Sequence, residues 1–416
     1  MSHVIVLSGL MALLEDLRPG PIKSYNYLKE KKYLSNLMSK RILLVGGGSG
    51  GHVFPLIAVA EALRTADAGV ELLVLGNGPF LADAVTAAGL PYKTVKAGKL
   101  RRYFSFWTFL APFQAIIGFF QSLWILFVYM PDAIFTKGGY TSIMPSFVAR
   151  LYFIPVYTHE SDSVPGLANK VISKVAKTVF TSFESTAKYF SPRPDGRGKP
   201  GKAILVGNPV RPELLTGDKA VALQQFNFLA DKKTILVTGG SQGAKRINEA
   251  ILESLVQLVQ QFQVIHQCGD SQYENVKTVV DQYTKEGENS YGPMISANYR
   301  LYPFLNPQDM GMAYSVTDII ISRGGASNLF EIASLGKPAI IIPLSTSASR
   351  GDQIDNANEF HKYGAVVIEE ANITPHIIVN QIQELLEPTR YAEVSAKIKT
   401  FAKPNAAQNI AQILLQ

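Results

Sequence analysis

One structural unit is written into this chain twice, and that restricts the folds open to it. The apolar run Ile42–Val45 leads into Gly46-Gly47-Gly48-Ser49-Gly50-Gly51-His52 and then into the helical pattern Leu56–Leu63. Lys233-Thr-Ile-Leu-Val-Thr-Gly-Gly-Ser-Gln-Gly-Ala-Lys245 repeats the order of strand, glycine loop and helix. Such a unit opens a parallel βαβ series, so opening it twice calls for two sheets. Glycine fills five of the six positions Gly46–Gly51, which suits a loop needing unusual φ and ψ and close backbone approach to a ligand. At a helix N-terminus, that loop aims backbone N–H groups at an anion. A tight strand-to-helix turn is the plainer alternative.

From Lys40 onward, apolar runs alternate with helical patterns. Strands are expected at 41–45, 70–75, 133–136, 155–158, 178–181 and 203–206, with helices at 55–65, 79–88, 106–129, 141–151 and 166–173. After the restart come strands at 235–238, 263–268, 299–302, 318–322, 339–343 and 365–368. The runs are apolar on both faces, as in parallel strands covered by helices. The expected class is therefore α/β: two tandem Rossmann-like doubly wound parallel-sheet domains facing a central cleft. Gly207-Asn-Pro-Val-Arg-Pro212 reads as the hinge, dividing 38–207 from 208–400, and Ser191–Lys202 reads as a surface loop. The terminal helix, 401–416, is free to pack on either half, including back on the first domain. Residues 1–37 stand apart as a poorly packed extension or an upstream mis-start, since Met38-Ser-Lys-Arg-Ile-Leu-Leu-Val resembles a bacterial start feeding the first strand. A short membrane-touching helix is the other reading of that segment.

Tyr103 to Met130 contains no charged residue and is rich in Phe, Trp and Leu. Its length qualifies as a membrane span, but Pro112, Gln114 and Gln121 and its place between strands favour a helix with one apolar face turned outward. Lys96, Lys99, Arg101 and Arg102 precede it, and a basic rim beside aromatic surface suits anionic lipid. The formal net charge of +7 agrees with an acidic partner. Nucleic acid is not expected, because no recognition motif or basic helix accompanies that charge. The single Cys268 excludes an intramolecular disulfide and fits a reducing compartment, and the scattered histidines predict no metal.

Gly46-x-Gly48-x-x-Gly51 also matches the dinucleotide fingerprint. That fingerprint needs an acid near the end of the second strand for the ribose, and here the strand ends in Gly76-Asn77-Gly78. A nicotinamide cofactor is therefore disfavoured. Asp318–Glu331 is the better nucleotide candidate: a strand, a glycine turn and a helix on which Ser327 and Asn328 read as caps. Glu331, one turn in, can accept two hydrogen bonds from a ribose diol, or it simply complements the helix dipole.

Seven short motifs then fall in one order. They are 46–55 (GGGSGGHVFP), 137–142 (KGGYTS), 159–170 (HESDSVPGLANK), 207–211 (GNPVR), 239–244 (GGSQGA), 323–336 and 352–357 (DQIDNA). In this order the chain, over about 38–416, resembles the MurG family of peptidoglycan glycosyltransferases, family 28 of the GT-B fold. The resemblance implies inverting transfer of N-acetylglucosamine from UDP-N-acetylglucosamine to the 4-hydroxyl of undecaprenyl-linked muramyl-pentapeptide, lipid I becoming lipid II. It implies a peripheral enzyme on the cytoplasmic side of a bacterial membrane, with no cofactor. By motif position, Ser49, Gly50, Gly51, Asp162, Arg211, Ser241, Leu305, Ala326, Ser327, Asn328, Leu329, Phe330, Glu331 and Gln353 would bind the donor. Leu305 would offer backbone to the uracil and Gln353 would meet the sugar hydroxyls. Gly47, Gly48, Tyr140, His159 and Glu160 would serve the acceptor. His52 is the candidate base, with a helix-start histidine that only orders the loop as the alternative. Arg211 and helix N-termini would steady the departing UDP without a metal. Asp162 stands where the family usually carries Asn, and Arg350 and Asp352 also depart from the commoner forms. A related glycolipid synthase with another acceptor, a UDP-N-acetylglucosamine 2-epimerase and a non-catalytic sugar-nucleotide binder are the competing readings.

Overall fold

The computed structural model describes residues 39–48, 50–98, 106–190, 202–240, 243–285, 291–346 and 351–416. Expectations for 1–37, Ser49, Lys99, Arg101, Arg102, Ser241, Arg350 and most of the 191–202 loop lie outside these.

Among the described residues the strands form two sheets, parallel throughout. The first contains β1 (Arg41–Gly47), β2 (Glu71–Asn77), β3 (Tyr92–Thr94), β4 (Ala133–Thr136), β5 (Val156–Glu160), β6 (Thr178–Thr181) and β7 (Ala203–Leu205). Its order is β3-β2-β1-β4-β5-β6-β7. The second contains β8 (Thr234–Thr238), β9 (Gln263–Gln267), β10 (Tyr299–Tyr302), β11 (Ile319–Ser322), β12 (Ala339–Ile341) and β13 (Val366–Val367), in the order β10-β9-β8-β11-β12-β13. Strand β3 was not expected from sequence. Its Tyr-Lys-Thr is too short and polar to give a signal, and an edge position tolerates that.

Alternation along the central strand explains the layering. Ile42 and Leu44 pack with Val53, Leu56 and Ile410 on one face, while Leu43 and Val45 pack with Leu126 and Val148 on the other. The chain leaves the first sheet after β7 and returns past Phe401. The helix Ala406–Leu415 then buries Ile410, Ala411 and Leu414 in the core of the first half.

The helix after β1 runs Gly50–Ala66, five residues longer at its start than the expected 55–65. Pro55 therefore lies inside it, and because proline has no N–H, the carbonyl of Gly51 loses its helical partner. The apolar helix Phe106–Tyr129 has the expected bounds. Ala111, Ser122, Ile125 and Leu126 turn inward, and a Cβ on Gly118 would lie 2.0 Å from the Lys96 carbonyl oxygen, so glycine permits the close approach. Phe113, Ile116, Phe120, Trp124 and Phe127 face outward, Trp124 with 69% of its surface exposed. Among the described residues, Ala111–Tyr129 is the one helical stretch long and apolar enough to cross a membrane, with 28% of it buried.

The two halves meet along a polar seam. Asn356 of the second half accepts from the Ser163 N–H at 2.8 Å and donates to an Asp162 carboxylate oxygen at 2.9 Å. Phe183 of the first half meets the edge of Phe330 of the second, centroids 5.6 Å apart. Burial, with Glu160 nearby, pushes the Asp162 carboxyl up to about 7, against which the Asn356 amide favours the charged form. A raised folded-state pKa removes stability as pH climbs from the unfolded value toward 7. Asp162→Asn, neutral throughout, is expected to raise the melting temperature relative to the parent more at pH 8 than at pH 5. Calorimetric scans at both values would show it, and an equal change at both would contradict the assignment.

Candidate active site

In an open parallel sheet, ligands bind at the carboxyl ends of the strands where the strand order reverses. In the first sheet that point lies between β1 and β4, and in the second between β8 and β11. Of the four loops leaving these strands, those after β1, β8 and β11 line a cavity of about 430 Å³ together with the loop after β5, while the loop after β4 lies behind its wall. Gly48, at φ 98°, turns the chain out of β1, a left-handed conformation that favours glycine.

On the nucleotide side, the helix Ala326–Leu335 points its N-terminus into the cavity. Ser327 and Asn328 are not caps as expected. Gly325 holds the cap position, and no side chain closes the helix start. The Ser327 hydroxyl donates to the Gly51 carbonyl at 3.2 Å, and the Asn328 amide donates to the Ser322 hydroxyl. The first N–H groups of a helix have no partner within it, so this start offers an anion site. Arg211 is buried beside it, its guanidinium carbon 3.9 Å from the Phe54 ring centroid, and its Nε–H has no partner among the described residues. An orphaned, buried cationic donor fits a diphosphate.

Glu331 also lines the cavity and accepts from the Tyr314 hydroxyl at 3.0 Å. Burial raises its pKa, with Arg211 opposing. Gln353 lines the wall and accepts from the Leu344 N–H at 3.1 Å. Leu305 lies at the far end, but its N–H is already given to the Gln267 side chain at 2.9 Å. A base would meet that N–H only by displacing Gln267.

Leu329 and Phe330 depart from the expectation. Helical spacing turns Ser327, Asn328 and Glu331 to the cavity and the other two inward. Both are fully buried, with the Phe330 ring tilted against Phe401, centroids 4.5 Å apart.

On the first-half side, Gly50, Gly51, His52 and Asp162 line the cavity. The His52 Nδ1 lies 3.2 Å from the Lys137 carbonyl oxygen, which can only accept, so the proton sits on Nδ1 and Nε2 carries the lone pair. Burial and the Lys137 ammonium lower the His52 pKa to about 4. Gly47, Gly48 and Tyr140 sit next to this wall without lining the cavity.

His159 and Glu160 correct the acceptor-contact expectation, since both are buried behind the wall. His159 donates from Nε2 to the Gly207 carbonyl at 2.8 Å, and Glu160 accepts from the N–H groups of Asp162 and Gly166, each at 3.0 Å. They shape the β5 loop from beneath. The Asp162 carboxyl, near 7, carries an O–H in part of the population, which restores a donor where an amide would have one.

Several residues around the cavity were not singled out from sequence. Lys137, Asn208 and Asn356 sat inside recognised motifs, where a Lys or Asn among glycines was the available signal. Gln267 and Tyr314 come from unremarkable segments of β9 and of the helix Pro307–Val316, and only the fold brings them in.

Comparison with known proteins adds the following. Residues 42–181 match the glycosyltransferase family 28 N-terminal domain, and residues 234–410 match the glycosyltransferase family 28 C-terminal domain. A Lachnospira eligens protein named UDP-N-acetylglucosamine–N-acetylmuramyl-(pentapeptide) pyrophosphoryl-undecaprenol N-acetylglucosamine transferase is 35% identical over 377 residues, covering 90% of this chain and 98% of that one. A Clostridium perfringens protein of the same name is 35% identical, covering 90% and 97%. Among solved structures, Acinetobacter baumannii MurG superposes with a TM-score of 0.67 at 26% identity, covering 90% of this chain and 99% of that one. The UDP-GlcNAc 2-epimerase of Neisseria meningitidis, solved with UDP-GlcNAc, shares the fold at a TM-score of 0.63 and 19% identity, covering 90% and 99%. With both halves matched to the same family and relatives aligned along nearly their whole length, this chain belongs to glycosyltransferase family 28, with the GT-B fold of the MurG enzymes.

Proposed function

We propose that the chain transfers N-acetylglucosamine from UDP-N-acetylglucosamine to the 4-hydroxyl of undecaprenyl-diphospho-N-acetylmuramoyl-pentapeptide, with inversion, converting lipid I to lipid II. The observation that carries the chemistry is the pairing across one cavity. The open start of Ala326–Leu335 and the unpartnered Arg211 Nε–H stand on one side, and the lone pair of His52 Nε2 on the other.

In a single displacement the acceptor hydroxyl oxygen forms a bond to the anomeric carbon, the bond from that carbon to the UDP oxygen breaks, and the hydroxyl proton moves to Nε2 of His52. The electron pair leaves with UDP. Its charge is met by the Ala326–Asn328 N–H groups and Arg211, which are in place before the reaction begins. Glu331 takes the ribose diol and Gln353 the sugar hydroxyls. Gly50 and Gly51 keep the wall free of side chains where donor and acceptor meet. An imidazole held near 4 is neutral at working pH yet a weak base, and the diphosphates of donor and acceptor would raise its pKa toward the useful range. The division of labour we infer is 38–207 with 401–416 for the acceptor, and 208–400 for the donor.

The acceptor's polyprenyl chain stays in the bilayer, so the enzyme rests on the cytoplasmic leaflet, and the outward face of Phe106–Tyr129 supplies the contact. Leu151 and Phe153 extend the apolar patch, and Lys96 and Arg150 are exposed beside it.

His52→Ala is expected to lower the transfer rate about 10²- to 10⁴-fold while calorimetric binding of UDP-N-acetylglucosamine persists. Unchanged turnover with a lipid I analogue would remove the base assignment. Glu331→Ala should raise the KM for the donor about 10- to 100-fold, as expected for losing hydrogen bonds to a charged group. Phe120→Ser with Trp124→Ser should cut association with anionic vesicles by about tenfold or more in flotation, given the apolar surface removed. A parent chain that fails to float would count against membrane seating.

A further inference from the structure

Lys137, the residue directly after β4, is one of the largest fully buried side chains of the first half. Its Nζ lies 2.6 Å from His159 Nδ1, 2.6 Å from the Ser161 hydroxyl and 3.0 Å from the Asn208 side-chain oxygen. Three acceptors match the three protons of an ammonium group. Among the described residues no carboxylate is hydrogen-bonded to it, though Glu160 and Asp162 act on it through space and oppose the burial that lowers it to about 7. Burying such a group is costly, so its partners are worth following.

They form a closed circuit. Asn208, at the crossover between halves, donates its amide to the Ser327 hydroxyl at 3.1 Å, and Ser327 donates to the Gly51 carbonyl at 3.2 Å. That carbonyl is available because Pro55 has no N–H to give it. Gly51 is bonded to His52, whose Nδ1–H returns to the Lys137 carbonyl at 3.2 Å. The circuit joins the end of β4, the crossover, the start of the nucleotide helix and the first turn of Gly50–Ala66.

We infer that Lys137 is a positioning residue for the transfer: its carbonyl fixes the tautomer of His52, and its side chain ties that histidine's loop to the crossover and the nucleotide helix. The inference rests on the reading of His52 as the base. It assigns opposite tautomers to two histidines. His52 carries its proton on Nδ1, whereas His159 receives a hydrogen bond at Nδ1 from Lys137 and carries its proton on Nε2, donated to Gly207. The titratable and charged groups around His52 are Lys137 and His159 beneath, with Asp162, Arg211, Arg323, Glu331 and Asp352 elsewhere around the cavity. At the acidic pH where His52 protonates, Lys137 is a full cation.

The test uses the full chain labelled with ¹⁵N-histidine, together with transfer kinetics. In the parent, His52 should show the Nδ1–H form and titrate near 4, and His159 should show the Nε2–H form. Lys137→Met keeps the unbranched stem and removes the charge. It should lower kcat about 10- to 100-fold, the scale of a small misplacement of a reacting group, with the donor KM little changed. The His52 titration should move upward. A folded Lys137→Met protein with parental kcat and parental His52 titration overturns the inference. So does an Nε2–H tautomer at His52 in the parent, a result that needs no variant to fold. His52→Ala separates the two readings. If it leaves transfer intact, the base reading fails. If it abolishes transfer while Lys137→Met changes nothing, the positioning role alone fails.

Discussion

Parallel pairing is the constraint on which the rest of this structure depends. When every strand of a sheet runs the same way, every loop that can carry chemistry emerges at one edge. Two such sheets gain a shared site only if those edges face each other, and here both reversal points open on one cavity. Beside the Phe183–Phe330 and Arg211–Phe54 contacts, polar side chains join the facing edges. Asn356 bridges to Ser163 and Asp162, Asn208 bridges to Ser327, and Ser327 bridges to Gly51. Each is a side chain reaching backbone or another short side chain. Such contacts are individually weak.

Glycine and proline do complementary work at this seam. Glycines strip the facing loops of side chains so that backbone can reach a ligand, and Gly48 supplies the backbone angle that turns β1 into its helix. Pro55 acts by omission. Placed one turn inside the helix, it releases a single carbonyl, and that carbonyl receives the only hydroxyl at the start of the opposing helix. A residue that ordinarily costs helix stability here leaves an acceptor pointing across the cleft.

Much of this was legible in sequence because parallel strands are apolar on both faces and glycine loops stand out between them. The strands Ala133–Thr136, Thr178–Thr181 and Tyr299–Tyr302 and the helix Phe106–Tyr129 have the bounds that their composition indicates. The errors have physical causes. Pro55 was read as a helix start because proline fits there best, yet the glycines before it were already helical. Ser327 and Asn328 were read as caps by residue type, but Gly325 took the cap and freed both for other partners. Leu329, Phe330, His159 and Glu160 carry the right chemistry in the right motif and still face away, because a motif does not say which positions turn inward. Lys137 was the least legible of all, since a lysine is ordinarily a surface residue and only the fold reveals its burial.

The placement of the apolar helix then bears on how the halves divide their work. Phe106–Tyr129 lies directly before β4 in the chain, and β4 is followed at once by Lys137, whose carbonyl holds His52. The surface proposed to meet the bilayer and the group proposed to take the proton therefore belong to one rigid body, linked through a buried core that includes Ile125, Leu126 and Val45. An acceptor confined to the leaflet meets the base without any domain having to move. The nucleotide site sits on the other body and is tied to the first by a handful of hydrogen bonds. On the proposed reading, one half carries the water-soluble substrate and the other serves the lipid-bound one, an arrangement that follows from which helix precedes which strand.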